Sequence, residues 1–234
     1  FEERCDIINE LGIDAVVFAR FDEGFRDNSP LSFMQSLCSL NPVSFVCGFD
    51  YSFGKDAEGT PEMLKAFFSS RRVDVEIVGE IKDRYGKIGT TRIKSLLSEG
   101  KTEQAAVLLG EAYRIEGIVR HGYGVGGSRL GFPTANLAVP KEKLLLKSGV
   151  YSGRARVDGS DYAAIINFGG RPTFGDDEVK AEAFLLDFDG NLYERKIILF
   201  FDAYLRETKR FDTAEQLKAQ IALDMREALR RKND

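Results

Sequence analysis

A single histidine, His121, among 234 residues excludes any zinc site built on several imidazoles. Cysteine is nearly as scarce. Cys5, Cys38 and Cys47 are odd in number and share no CxxC spacing, so they are expected to be reduced, buried thiols in a cytoplasmic protein. Acidic side chains outnumber basic ones, 37 to 33, and the net charge of −4 removes any global electrostatic reason to expect nucleic acid as a partner. No apolar run is long enough to cross a bilayer, and the first residues lack the apolar segment of a signal peptide. No GxxxxGK[ST] segment occurs, which excludes a P-loop. The chain opens on Phe1 and not on methionine, which carries the expectation of a fragment or processed form.

What remains is a soluble globular composition, 43% hydrophobic and 30% charged, with length enough for two modest cores. Residues 2–11 read as a helix ended by Gly12, and 15–19 (AVVFA) as a short buried strand. Ser29-Pro30 and Thr60-Pro61 each pair a cap with proline at the first helical position. Strands over 43–46 and 73–78 alternate with these helices, so the first part reads as a parallel α/β sheet. Two short helices follow, over 91–97 and 102–109. From Tyr113 strand-like runs dominate, at 113–119, 150–157, 162–168, 179–188 and 193–200, with Asp158-Gly159 and Asp189-Gly190 as turn signals. That half reads as an antiparallel sheet or small barrel closed by a helix after Asp212-Thr213. The expected division is an α/β domain over 1–110 and a β domain over 111–234.

The stretch 121–136, HGYGVGGSRLGFPTAN, packs Gly122, Gly124, Gly126, Gly127 and Gly131 ahead of Pro133, Thr134 and Asn136. Glycines let backbone N–H groups approach phosphate oxygens, so the run is either a phosphate cradle or a glycine-rich turn. Pro133 stiffens its exit. Thr134 and Asn136 then offer a hydroxyl and an amide two residues apart, oxygen ligands suited to a hard cation such as Mg²⁺. Glu182 is the best candidate base, because the period-two face that holds it also holds Phe184, Leu186 and Phe188. A carboxylate there needs a partner or a task, and such surroundings raise its proton affinity. The plain alternative is a solvated strand end paired with a lysine. Residues 167–173 (NFGGRPT) could be a flap or only a turn, and Arg206, Lys209 and Arg210 could hold an anion or a polar ring edge or simply be solvated. In the first domain the loop 48–55, with Asp50, Phe53 and Gly54, follows a strand at a place where ligands are often met. Thr90 and Thr91 open a helix with Lys94 one turn on, an arrangement that binds phosphate or merely caps the helix.

Taken in order, GYGVGGSRLGFPTAN, GVY at 149–151, NFGGRPTFG from Asn167, AEAFLLDFDGNLY from Ala181 and YLRETKRFDTAEQLKAQI from Tyr204 resemble the riboflavin kinase module of the prokaryotic bifunctional riboflavin kinase/FMN adenylyltransferase (FAD synthetase) family. GFDYSFG and IGTTRIK extend the resemblance to the adenylyltransferase module, so that it covers essentially the whole chain. The resemblance implies a partial Rossmann-like nucleotidyltransferase α/β domain, then a small antiparallel β-barrel with a C-terminal helix. It implies transfer of the ATP γ-phosphate to the riboflavin 5′-hydroxyl, giving FMN and ADP. Thr134 and Asn136 would hold Mg²⁺ and phosphate, and the loop with Gly122, Gly124, Gly126, Ser128, Gly131 and Pro133 would wrap the nucleotide. Glu182 would be the general base, and Asp187, Tyr193, Arg206 and Lys209 would line the flavin. Asp50, Phe53, Gly54, Thr90, Thr91 and Lys94 would be remnants of the adenylyltransferase site.

The family's histidine-bearing ATP segment is absent from these residues, and Gly89 and Lys94 depart from its ISSTxIR-type motif. Lysine keeps the charge there but loses the bidentate fork. FMN without FAD is therefore the expected product. The expected partners are a flavin and an adenine nucleotide, with no nucleic acid and no membrane. The competing class is a non-catalytic flavin- or nucleotide-binding regulatory protein, against which the intact Thr134, Asn136 and Glu182 argue.

Overall fold

The structure, a computed structural model, describes residues 2–120, 134–170 and 179–233. The chain divides into two compact units, Phe1–Ile88 and Gly89–Asp234.

In the first unit, helix α1 (Glu2–Glu10) stops at Gly12, whose φ of +77° ends the turn. Helix α2 (Glu23–Arg26) is a single turn in which the Asp22 side chain accepts from the Phe25 N–H. Helices α3 (Pro30–Cys38) and α4 (Pro61–Ser69) start where the Ser-Pro and Thr-Pro pairs place them. The Ser29 and Thr60 hydroxyls accept from the N–H groups of Ser32 and Met63. Strands β1 (Ser44–Gly48) and β2 (Asp74–Val78) pair in parallel, and Met34, Phe53, Leu64, Phe68 and Val75 form the core against them. A two-residue hairpin, β3 (Lys82–Asp83) with β4 (Gly86–Lys87), ends the unit. The strand expected over 15–19 does not form. Those residues join no ladder, and Val17 is 84% exposed. An apolar run of this kind becomes a strand only where a neighbour completes its hydrogen bonds and covers its side chains. The three cysteines are free, as expected, but half-buried instead of buried.

In the second unit, helices α5 (Thr90–Ser98) and α6 (Thr102–Leu109) lead into a six-stranded antiparallel sheet. Its strands are β5 (Tyr113–Ile118), β6 (Thr134–Ala138), β7 (Gly149–Val157), β8 (Ser160–Gly169), β9 (Lys180–Leu185) and β10 (Lys196–Arg206), in the order β5-β10-β7-β8-β9-β6. The sheet curls until its edges meet through a bridge between Arg120 and Asn136, giving the small antiparallel barrel expected. Asp158 and Gly159 both take left-handed φ, +49° and +82°, the geometry of a tight hairpin between β7 and β8. The interior is filled by alternate residues such as Ala135, Leu137, Tyr151, Ile166, Ala183 and Phe201. Leu97 of α5 and Ala105 of α6 belong to that same cluster, so these two helices pack with the barrel unit, whereas the sequence division at 110 groups them with the first domain. The last helix, α7 (Ala214–Asn233), closes a second cluster in which Ile221, Leu217 and Met225 meet Val150, Ile165 and Phe184 on the outer face of the sheet. Among the described residues no helix is long and apolar enough to cross a membrane.

Candidate active site

The outer face of the barrel carries the candidate chemistry because the alternation of β6, β8 and β9 leaves no other place for polar side chains. Ala135 and Leu137 point into the core, so Thr134 and Asn136 point outward. Ala181 and Ala183 are fully buried, which turns Glu182 and Phe184 out on β9. Ile166 and Phe168 do the same for Asn167 on β8.

Register then aligns these residues. Asn136 lies directly opposite Glu182, and Glu182 directly opposite Asn167. Arg120 extends the row on one side, its N–H donating to the Asn136 carbonyl at 2.9 Å. Val150 and then Arg206 extend it on the other. Directly opposite residues bring their Cβ atoms to about 4.5–5.5 Å, so Asn136, Glu182 and Asn167 are side-chain neighbours on one face. In the next row Thr134 faces Phe184, which faces Ile165. Thr134 is buried, Asn136, Glu182 and Asn167 are half-buried, and Phe184 and Ile165 belong to the apolar cluster under α7. A polar row thus borders an apolar floor.

The apolar companions expected for Glu182 need correction. Only Phe184 shares its face within β9, because the strand ends at Leu185 and Asp187 takes φ +55°. Beyond that turn the Phe188 ring packs edge-on against Tyr162, 5.0 Å between centroids, and joins the barrel cluster instead.

Of the residues expected on the flavin side, Arg206 ends β10 within the row. Its Nε and Nη2 donate to the two oxygens of Asp224 at 2.9 and 2.8 Å, and its Nη1 donates to the Glu207 carbonyl at 3.0 Å. Asp224, on α7, is only 4% exposed and also accepts from Gln220 Nε2 at 3.0 Å. Lys209 is exposed on the connection from β10 to α7. Asp187 and Tyr193 lie on the β9–β10 connection past Leu185, outside the row, with the Tyr193 N–H donating to Asn191 Oδ1. Gly122, Gly124, Gly126, Ser128, Gly131 and Pro133 fall outside the described residues, as do His121 and residues 171–173.

In the first unit Asp50 is exposed and pairs with Lys87 Nζ at 3.0 Å. The hydrogen bond from Lys87, and then its charge, hold the Asp50 carboxyl below the usual carboxylate range. Phe53 is buried, with Tyr51 stacked on it at 5.6 Å. Gly54 has φ +76°, and a Cβ there would lie 2.8 Å from the Pro30 nitrogen, so glycine is required for that close approach. In the second unit Thr90 and Thr91 open α5 behind Gly89 at the cap position, with no side-chain capping bond, and Lys94 follows one turn on.

Sequence reasoning passed over Arg120, Thr208 and Asp224. Asp224 could have been suspected as an acidic residue on the otherwise apolar buried face of the last helix. The pairing of Asn167 with Glu182 required the strand order.

Comparison with known proteins bears directly on this geometry. A family described as riboflavin kinase matches residues 109–231, and one described as FAD synthetase matches residues 1–92. The bifunctional riboflavin kinase/FMN adenylyltransferase of Listeria monocytogenes is 34% identical over 225 residues, covering 95% of this chain and 71% of that protein. Its counterpart in Bacillus subtilis is 32% identical, covering 98% and 73%. A crystal structure described as a macrolide-efflux protein from Streptococcus pneumoniae superposes with a TM-score of 0.83 at 30% identity, over 96% of this chain and 73% of that one. A kinase match that coincides with the barrel and its closing helix, with relatives aligned across both units, means that the chain belongs to the bifunctional riboflavin kinase/FMN adenylyltransferase family.

Proposed function

We propose that the barrel unit is a riboflavin kinase and that the row Asn136–Glu182–Asn167, with Thr134 beside it, is its phosphoryl-transfer site. The observation that carries this reading is the register. It sets a carboxylate directly across from an amide whose neighbour two residues back is a buried hydroxyl.

In the proposed reaction the riboflavin 5′-hydroxyl gives its proton to the Glu182 carboxylate as its oxygen bonds to the γ-phosphorus of ATP. The bond to the β–γ bridging oxygen breaks, and ADP leaves with that electron pair. Phosphoryl transfer asks little covalent chemistry of a protein; it needs reactants in line, charge stabilisation and a placed base. Thr134 and Asn136 supply two neutral oxygen donors on one face, and among the described residues no three His, Cys, Asp or Glu side chains gather as a cage. Such a donor set fits Mg²⁺, which keeps several waters and takes the rest of its ligands from phosphates. Bound there, it would neutralise charge on the transferring phosphates. Gly122, Gly124, Gly126, Ser128, Gly131 and Pro133 keep their proposed part in wrapping the nucleotide. Leu217, Ile221 and Met225 of α7 cover Phe184 and Ile165, so the flavin contacts proposed are Lys209 on the β10–α7 connection and Asp187 and Tyr193 on the β9–β10 connection. Arg206 serves the flavin side by holding α7 through Asp224. The reaction belongs in the cytoplasm, where free thiols and both substrates are found.

Incubation with riboflavin, ATP and Mg²⁺, with products resolved by chromatography, tests the reading. With the single histidine at position 121, inside the kinase match, these residues are expected to yield FMN without FAD. Glu182→Gln is expected to lower turnover by about 10²-fold or more, the effect of losing a positioned base. Near-normal turnover would remove Glu182 from that role.

A further inference from the structure

Asn167 stands on the side of Glu182 away from Asn136, and its carboxamide is committed elsewhere. The Thr208 hydroxyl donates to Asn167 Oδ1 at 2.9 Å across 41 residues of sequence. That leaves the amide NH₂ as the remaining donor of the group.

Thr208 lies in the connection from β10 to α7, beside Lys209. This connection has two fixed feet. At one, Arg206 is clamped to Asp224. At the other, α7 begins in a reciprocal cap, where the Gln216 N–H donates to Thr213 Oγ1 at 3.2 Å and Gln216 Oε1 accepts from the Asp212 N–H at 3.1 Å. Irregular register at the end of β10, between Phe201 and Ala203 and again between Tyr204 and Arg206, bends the strand as it enters the connection. Between those feet, the Thr208 hydroxyl ties the arch to β8, the strand beside the candidate base. Thr208 is exposed and Asn167 half-buried, so the bond is not there to satisfy a fully buried group. Its consequence is positional.

We propose that Asn167 and Thr208 are positioning residues for riboflavin: their hydrogen bond holds the β10–α7 connection, with Lys209, against the Glu182 end of the sheet and so forms a wall of the flavin subsite. The inference rests on the kinase reading above. Without the bond the arch leans away, riboflavin binds more weakly, and bound riboflavin still reacts.

The test is steady-state kinetics of the full chain, varying riboflavin and ATP separately. Thr208→Val keeps the side-chain shape and removes the donor. It is expected to raise KM for riboflavin about 3- to 10-fold, the span of one net hydrogen bond, with kcat and KM for ATP within twofold. Thr208→Ser restores the donor and is expected to restore KM. Asn167→Ala is expected to raise KM for riboflavin by the same factor, and the double variant to raise it no further than either single one. A merely structural role would lower the active fraction, and hence kcat, and leave KM for riboflavin unchanged. The proposal is overturned by an unchanged KM in Thr208→Val, by Thr208→Ser behaving like Thr208→Val, or by effects of the two substitutions that multiply. An unsubstituted chain that makes no FMN would overturn the kinase reading and this inference together, a result distinct from an active chain with an unmoved KM.

Discussion

Glu182, Asn136 and Asn167 are ordinary residues made into a site by being opposite one another. At this scale the donor pair of β6 makes the sharpest expectation. Asn136→Ala removes one of two protein oxygens proposed for Mg²⁺, and the Mg²⁺ concentration for half-maximal rate should rise by at least about 10-fold, using the loss typical even of indirect ligand contacts as a lower bound. A magnesium titration at saturating ATP reads this directly, and an unmoved midpoint would take Asn136 out of the metal site. Glu227 offers a check outside the site. Hydrogen bonds from Arg230, then Arg231, push its carboxyl down to about 2. Because the folded value is depressed, what this carboxylate contributes is present above its ordinary titration near pH 4.5 and is lost as pH falls toward 2. A carboxyl-carbon NMR titration should place the Glu227 midpoint near the lower value, and Arg230→Gln should move it up.

At the scale of elements, α7 carries a buried polar clamp set into an apolar seam, and its Arg231 also donates to the Tyr204 carbonyl of β10 at 3.0 Å. Asp224 is almost fully buried and takes a bidentate grip from Arg206, while Ile221, Leu217 and Met225 cover Val150, Ile165 and Phe184. Removing one partner of such a pair strands the other charge. Asp224→Leu should therefore cost roughly 3–5 kcal/mol in urea unfolding, even though leucine suits the surrounding seam. A loss below about 1 kcal/mol would mean that the Arg206–Asp224 clamp does not anchor the helix. Strand β7 depends on a different detail at its start. Gly149 has φ +155°, and a Cβ there would sit 2.5 Å from the Tyr204 ring and 2.6 Å from the Arg206 carbonyl. Gly149→Ala should destabilise by at least about 1 kcal/mol, since both the backbone angle and the space exclude a methyl group.

For the whole molecule, the allegiance of α5 and α6 is the testable point. Leu97 and Ala105 are part of the barrel cluster, and the Thr102 hydroxyl donates to the Asp202 carbonyl of β10 at 3.0 Å. A fragment of residues 89–234 should thus fold and phosphorylate riboflavin. A fragment of residues 111–234 should be less stable by at least about 2 kcal/mol, since burial of one large aliphatic side chain alone is worth about that much. Equal melting of the two fragments would return both helices to the first domain.

Local chemistry made much of this protein readable from its residues in order. The Ser29-Pro30 and Thr60-Pro61 starts and the Asp158-Gly159 turn each express a constraint contained within a few residues, and each stands in the structure as read, whereas strand β6 at Thr134–Ala138 is not among the strands expected. Contacts distant in sequence were decided only by the tertiary structure. Strand order alone could bring Asn167 beside Glu182, curl Arg120 against Asn136 and seat Asp224 on Arg206. The same reason accounts for the misread stretches. Residues 15–19 have the composition of a strand but no ladder to join, and Phe188 has the period of the Glu182 face but lies past the turn at Asp187. Local signals say what a segment can become; the neighbours that bury its side chains and complete its hydrogen bonds decide what it is.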